Sequence, residues 1–266
     1  MKTISSRQNP VVQAFRALAR TPDPTGARLL LDGVHLVREA RAAGAEIEIA
    51  AIAASRSRGA GEDADGARRL EADGIRLVRA TEQAFAAMSP VRAPSGIVAI
   101  ARRTPVDADQ ICARPHAFVL VAVDVQDPGN LGSLVRAGEA GGATGVLVCG
   151  ASANPFSWKA VRGSMGSILR LPVAAGLTAD EAIHRMRAHG GRIIAAAPRA
   201  GRDPDASDWR GRVALLVGGE GSGLSDAVIA AADDRITIPM TAPVESLNVA
   251  VAAAILVYAA RRQRHE

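Results

Sequence analysis

Two consecutive α/β domains are what this 266-residue sequence predicts. Apolar stretches of strand length alternate with stretches of helical period along the whole chain. The stretch from Arg102 to Pro115 contains Pro105 and Pro115, has weak periodicity and reads as a domain boundary, giving domains 1–104 and 105–266. Just beyond it, Ala117–Asp124 is almost continuously apolar, as expected of a parallel strand covered on both faces.

In the first domain, residues 6–20 carry Val11, Val12, Phe15 and Leu18 at helical spacing, and Thr21–Gly26 then breaks the chain. Arg28–Asp32 reads as a strand, 33–43 as a helix closed by Gly44, and Ile47–Ala53 as a second strand. Residues 55–66 read as a loop. A helix near 67–73, a strand at 75–78, a helix at 81–88 and a strand at 96–101 complete the domain. In the second domain the strand 117–124 leads to a helix at 131–140, a strand at 145–148 and a helix at 158–164. Strand 169–174, helix 179–189 and strands 192–196 and 213–217 follow. A helix at 226–232, a strand at 235–238 and a long helix from about 246 to 262 close a mainly parallel sheet.

Apolar residues make up 48% of the chain, enough for a packed core, but aromatics only 3%. RNA reading by stacked aromatic faces is therefore disfavoured. The net charge is +5, and Lys2 and Lys159 are the only lysines. The flat guanidinium fork suits phosphate, so an anionic partner fits; a GC-rich genome would produce the same Ala- and Arg-rich composition. Cys112 and Cys149 lie among apolar neighbours and read as core fillers, not as a disulfide framework. The amino terminus has no signal-peptide stretch, and the longest apolar run, Val249–Ala260, is too short to cross a bilayer. The expectation is a cytoplasmic protein without a membrane partner.

Three segments place polar residues at the carboxy ends of strands, where open α/β sheets hold their ligands. In Asp124–Arg136 a buried strand runs into a turn, Asn130 reads as the cap of a helix, and Arg136 lies six positions on. In Leu215–Ser225, glycines crowd one strand exit around Glu220, where a merely structural turn needs no carboxylate. A dinucleotide loop fails on spacing, since Leu224 holds the third glycine place, and a Walker loop fails for want of Lys. In Ile236–Ile255 a strand ends at Pro239, Ser246 reads as a helix cap, and Asn248 lies in the first turn of a buried apolar helix.

In order and spacing these segments resemble the three motifs of the SpoU family of RNA ribose methyltransferases, in the SPOUT superfamily. The matches are Asn130-x-Gly132-x-x-x-Arg136, Gly219-Glu220-Gly221-x-Gly223-Leu224-Ser225, and Ile238-Pro239-Met240 with Ser246-Leu247-Asn248-Val249. The resemblance covers roughly residues 117–262 and includes Lys159–Gly166. Ser6–Pro10 and Leu31–Val37 resemble the L30e-like substrate-binding domain that precedes many such enzymes, with Asp32 where relatives often carry Glu. Ala242-Pro243 replaces a usual Gly, and Gly138 and Gly141 replace bulkier residues.

The resemblance implies a trefoil-knotted parallel sheet, a homodimer with the active site near its interface, and S-adenosyl-L-methionine as cofactor. It implies Gly218, Gly219, Ile238, Met240 and Leu247 as cofactor contacts, and Asn130, Arg136, Glu220, Ser246 and Asn248 around the target ribose. The reaction it implies is methylation of a ribose 2′-hydroxyl, in ribosomal (23S) RNA by the two-domain layout. A tRNA target and an inactive RNA-binding scaffold are the alternatives. The Arg matching Arg136 is proposed as base in the family, yet a guanidinium normally stays protonated, and orienting the ribose or its phosphate is the other role open to it. No metal is expected: the five histidines form no ligand cluster, and Glu181 with His184 reads as a solvated helix face.

Overall fold

The computed structural model describes residues 2–57 and 61–264. It divides into two compact units. The first comprises residues 1–104 and 156–169, the second 105–155 and 170–266. The 104/105 division lies where the proline-flanked stretch begins. The second domain expected at 105–266 is not continuous, however, because residues 156–169 pack with the first unit.

The first unit contains β1 (Lys2–Ile4), α1 (Pro10–Arg20), β2 (Arg28–Asp32), α2 (Val34–Ala42), β3 (Glu46–Ala53), α3 (Glu62–Ala72), β4 (Leu77–Ala80), α4 (Glu82–Met88) and β5 (Ile97–Arg102). Its sheet has the order β1-β4-β3-β5-β2, with β5 antiparallel to both neighbours. Helix α1 starts at Pro10 rather than residue 6 because Asn9 caps it, accepting the Val11 N–H at 2.9 Å. Its buried Val12, Phe15 and Leu18 cover one sheet face. Helix α3 begins five residues before the expected 67, on a first turn holding Glu62, Asp63 and Asp65, which the positive helix end favours. Part of the loop expected at 55–66, residues 58–60, lies outside the described residues.

The inserted segment explains its own placement. Trp158, at the start of the helix Trp158–Gly163, packs on the core cluster of Val12, Phe15 and Leu18, and that helix lies along edge strand β2. Phe156 sits 4.7 Å under the Arg103 guanidinium. It also presses on Gly26, where a Cβ would come within 2.5 Å of its ring. Burial pulls the Arg103 pKa down to about 10, against the opposing charge of Asp23.

The second unit opens on α5 (Ala108–Cys112), set by the capping box of Asp107 and Gln110 inside the stretch expected to be irregular. It continues with β6 (Phe118–Val123), α6 (Pro128–Gly141) and β7 (Gly145–Cys149), and after the inserted helix, α7, with β8 (Val173–Leu177), α8 (Ala179–Ala188) and β9 (Arg192–Ala196). Strand β10 (Val213–Gly218), α9 (Asp226–Ala230), β11 (Asp234–Ile236) and α10 (Val249–Arg264) complete it. The sheet order is β11-β9-β10-β6-β7-β8 and every pairing is parallel. The expected strand at 169–174 falls at β8 instead, because Ser167–Leu169 form a 3-10 turn with Ser167 and Ile168 buried. All six residues of β6 are buried, as its sequence demanded. Gly138 and Gly141 let α6 approach its neighbours: a Cβ would lie 2.9 Å from Leu120 and 1.9 Å from Val257, respectively. Cys112 and Cys149 are buried, and burial pushes their thiols up to about 11 and about 12. No helix among the described residues is long and apolar enough to cross a membrane.

Candidate active site

The carboxy ends of β6 and β10 are adjacent, since Val123 pairs with Gly218. Strand β6 therefore delivers the loop leading into α6 beside the glycine loop that leaves β10. Asp127, not Asn130, caps α6: its Oδ1 accepts the Asn130 N–H at 2.8 Å, and Pro128 takes the first helical place. The Asn130 side chain is thereby free for other partners. Likewise Asn248, not Ser246, begins α10. Its Oδ1 accepts the N–H groups of Ala250 at 2.9 Å and Val251 at 3.3 Å.

Capping by Asp127 and Asn248 explains the site's polar geometry. With its oxygen committed to the helix end, Asn248 turns Nδ2 outward and donates to Asn130 Oδ1 at 2.9 Å. Asn130 must then present its own Nδ2, which donates to Glu220 Oε1. The second carboxylate oxygen, Oε2, accepts the Gln126 N–H at 3.2 Å. Burial pushes the Glu220 carboxyl up, but hydrogen bonds from Asn130, from its own N–H and from Gln126 outweigh it and hold it below the ordinary range. The result is a one-directional relay, Asn248 to Asn130 to Glu220, ending on a carboxylate.

Beside the relay lies a pocket of about 440 Å³. Gly218, Gly219 and Glu220 line it from the β10 exit, and Ile238, Met240, Ser246, Leu247 and Asn248 from the segment before α10. Ala197 and Pro198, which no sequence signal marked, close it beyond β9. Gly221 and Gly223 adopt φ of 100° and 65°, and a Cβ at either would meet nothing within 4 Å, so backbone is presented openly there. Leu224 is buried and anchors the loop, and Ser225 caps α9.

Arg136 stands apart. It is exposed on α6, two turns beyond the cap, and its side chain makes no hydrogen bond or ion pair with another described residue. Gln126 and Asp127 escaped the sequence reading, although Asp-Pro ahead of a helix signals a cap. Glu181 serves as the capping-box partner of Thr178. No group of three or more His, Cys, Asp or Glu among the described residues could hold a metal ion.

The model of the SpoU rRNA methylase family matches residues 117–258, which contain every one of these residues. The chain belongs to the SpoU rRNA methylase family. It is 32% identical over 264 residues to an uncharacterized tRNA/rRNA methyltransferase of Synechocystis sp., covering 98% of this chain and 94% of that one. It is 31% identical to the 23S rRNA (guanosine(2553)-2′-O)-methyltransferase RlmP of Bacillus subtilis, covering 97% of this chain and 98% of that one. Among solved structures, the AdoMet-bound rRNA methyltransferase from Sinorhizobium meliloti is similar at 27% identity with a TM-score of 0.83, over 98% of this chain and 97% of the other.

Proposed function

We propose that this chain transfers a methyl group from S-adenosyl-L-methionine to a ribose 2′-hydroxyl of RNA, with 23S ribosomal RNA as the substrate class. The observation that carries it is the Asn248–Asn130–Glu220 relay set at the edge of the pocket formed by the β10 exit and the segment before α10. The pocket fits the cofactor: its volume of about 440 Å³ lies within the range of small-molecule sites. Backbone at Gly218 and Gly219 offers polar contacts, and Ile238, Met240 and Leu247 offer apolar faces for an adenine ring. When bound, the cofactor supplies an electrophilic methyl.

The chain's own residues then have to place a poor acid whose proton passes to solvent as it attacks. Asn130 and Asn248 present amides that orient the ribose, and Ser246 adds a hydroxyl on the same rim. Glu220, kept ionised by its donors, holds the Asn130 amide in place. Arg136 supplies the unpaired cation, oriented on the ribose or its phosphate. The full-length relative named as a 23S rRNA 2′-O-methyltransferase supports ribosomal over transfer RNA.

The first unit is read as the RNA-gripping domain. The knot of the family belongs to the same reading. A homodimer is supported by α10, which leaves Val251, Ile255 and Tyr258 exposed along one helical face. The cell compartment in this reading is the cytoplasm. Mapping 2′-O-methylation in total RNA from cells with and without the gene tests the proposal. One ribosomal site disappearing in the deletion is the expected result; an unchanged methylation map overturns it.

A further inference from the structure

We propose that Asp124 is a positioning residue for methyl transfer, holding the exit of β6 so that the loop meets both oxygens of Glu220. The proposal rests on the methyl-transfer function proposed for the chain. Asp124 adopts φ 56°, a left-handed conformation that among non-glycine residues is reached mainly by Asn and Asp, whose short side chains bond locally. Its Oδ1 accepts the Ala151 N–H at 2.7 Å. Gly150, itself at φ 64°, fits closely against it, since a Cβ there would lie 2.3 Å from that oxygen. The next residue, buried Val125, donates to Ser152 Oγ at 3.0 Å and accepts the Ala153 N–H at 2.8 Å. Three consecutive residues of the β7 exit therefore grip two consecutive residues of the β6 exit.

On the other side, the Asp124 carbonyl touches the glycine loop: a Cβ on Gly219 would lie 1.8 Å from it. The turn at Asp124 thus sits between the β7 and β10 exits and sets the direction in which residues 125–130 leave the sheet. Along that stretch the Gln126 N–H reaches Glu220 Oε2, Asp127 caps α6, and Asn130 reaches Glu220 Oε1. Asp124 itself makes no hydrogen bond to Glu220, so it acts through the loop.

The test pairs Asp124→Ala, which removes the acceptor and keeps a Cβ in the left-handed region, with Asp124→Asn, which retains an amide oxygen and tolerates positive φ. The assay uses labelled S-adenosylmethionine and an unmethylated 23S rRNA transcript. Asp124→Ala lowers kcat on the order of 10²-fold, with calorimetric cofactor affinity near wild type, and Asp124→Asn restores most of the rate. Amide hydrogen exchange in peptides spanning 125–130 accelerates in the Ala variant and returns in the Asn variant. In a Glu220→Gln background the Ala substitution costs little more, because both act on one carboxylate. Should Asp124→Ala fold poorly, Ser152→Ala, which frees the Val125 N–H, carries the same comparison with a smaller loss. Losses that multiply in the double variant, a wild-type rate in Asp124→Ala, or unchanged exchange over 125–130 each overturn the proposal. A wild-type protein that methylates no RNA overturns the methyl-transfer function instead, and the exchange comparison still decides the role of Asp124 in holding the loop.

Discussion

The two units differ in charge and in what they do with their arginines. The first holds 18 Lys and Arg against 11 Asp and Glu, a net of +7; the second holds 14 against 16, a net of −2. The whole excess of positive charge therefore belongs to the first unit. There, the side chains of Arg7, Arg16, Arg20, Arg69, Arg76 and Arg92 make no hydrogen bond or ion pair with another described residue. In the second unit most arginines are engaged. Arg170 binds Glu139, Arg185 binds Asp109, Arg187 binds Asp233, and Arg264 donates to the carbonyls of Trp209, Gly211 and His116. Arg136 and Arg235 are the exceptions among the described residues. An arginine already satisfied internally has little to offer an external anion, whereas an unpaired one does. The contrast sets a surplus of unpaired positive charge in one unit against a single free cation on the helix that carries Asn130 in the other. It also answers the compositional question: a uniform genomic bias would not sort its net charge by unit.

Arg136→Ala gives the largest expected effect. Methyl transfer falls on the order of 10³-fold, while calorimetric affinity for S-adenosylmethionine stays near wild type. Wild-type turnover in that variant removes Arg136 from the site. A smaller effect is expected from reversing free charge in the first unit with Arg16→Glu and Arg20→Glu together. RNA affinity falls, and the slope of log K against log salt shrinks by about 0.7 to 0.9 for each phosphate that is no longer neutralised. Arg185→Ala, in the second unit, leaves that slope unchanged because Arg185 is already held by Asp109. Equal slopes in the two variants would erase the distinction between the units.

The smallest effect concerns acid stability of the first unit. Burial pushes the Glu48 carboxyl up, but Arg28 and Arg102 both bind it and leave its pKa below the ordinary 4.5. A depressed carboxylate stabilises the fold fully above its unfolded pKa and loses that contribution as pH falls through the lower folded value. Glu48→Gln therefore lowers the thermal midpoint at neutral pH and flattens its decline in acid. A parallel decline in both proteins would contradict the Arg28–Glu48–Arg102 bridge.

Much of the fold is legible from local patterns. The alternation of periods places the strands and helices in order, and the unbroken apolar run of β6 announces a central strand. Gly218, Ile238, Met240 and Leu247, which the resemblance implies as cofactor contacts, line one pocket. Local reading misleads where two signals compete. Asn130 and Ser246 are both good caps by residue type, but Asp127 and Asn248 stand where a side-chain oxygen reaches the free N–H groups, and they take those roles. Helix α5 escapes local reading because five residues carry too little period to register. Segment 156–169 comes after β7 in sequence, yet Trp158 and Phe156 find their partners on α1, Gly26 and Arg103.

By itself the sequence determined the alternation of strands and helices, the fully buried central strand and the three polar strand exits. These depend on residues within a few positions of one another, where helical period, strand alternation and capping act. Only the tertiary structure decided that Asn130 meets Glu220 and Asn248, residues 90 and 118 positions away. It also decided that Arg136 stays unpaired and that Asp124 is gripped by the β7 exit. For the Asn130–Glu220 contact and the grip on Asp124 the reason is the strand order: setting β10 and β7 on either side of β6 brings these three strand exits together, and that choice rests on packing between distant residues.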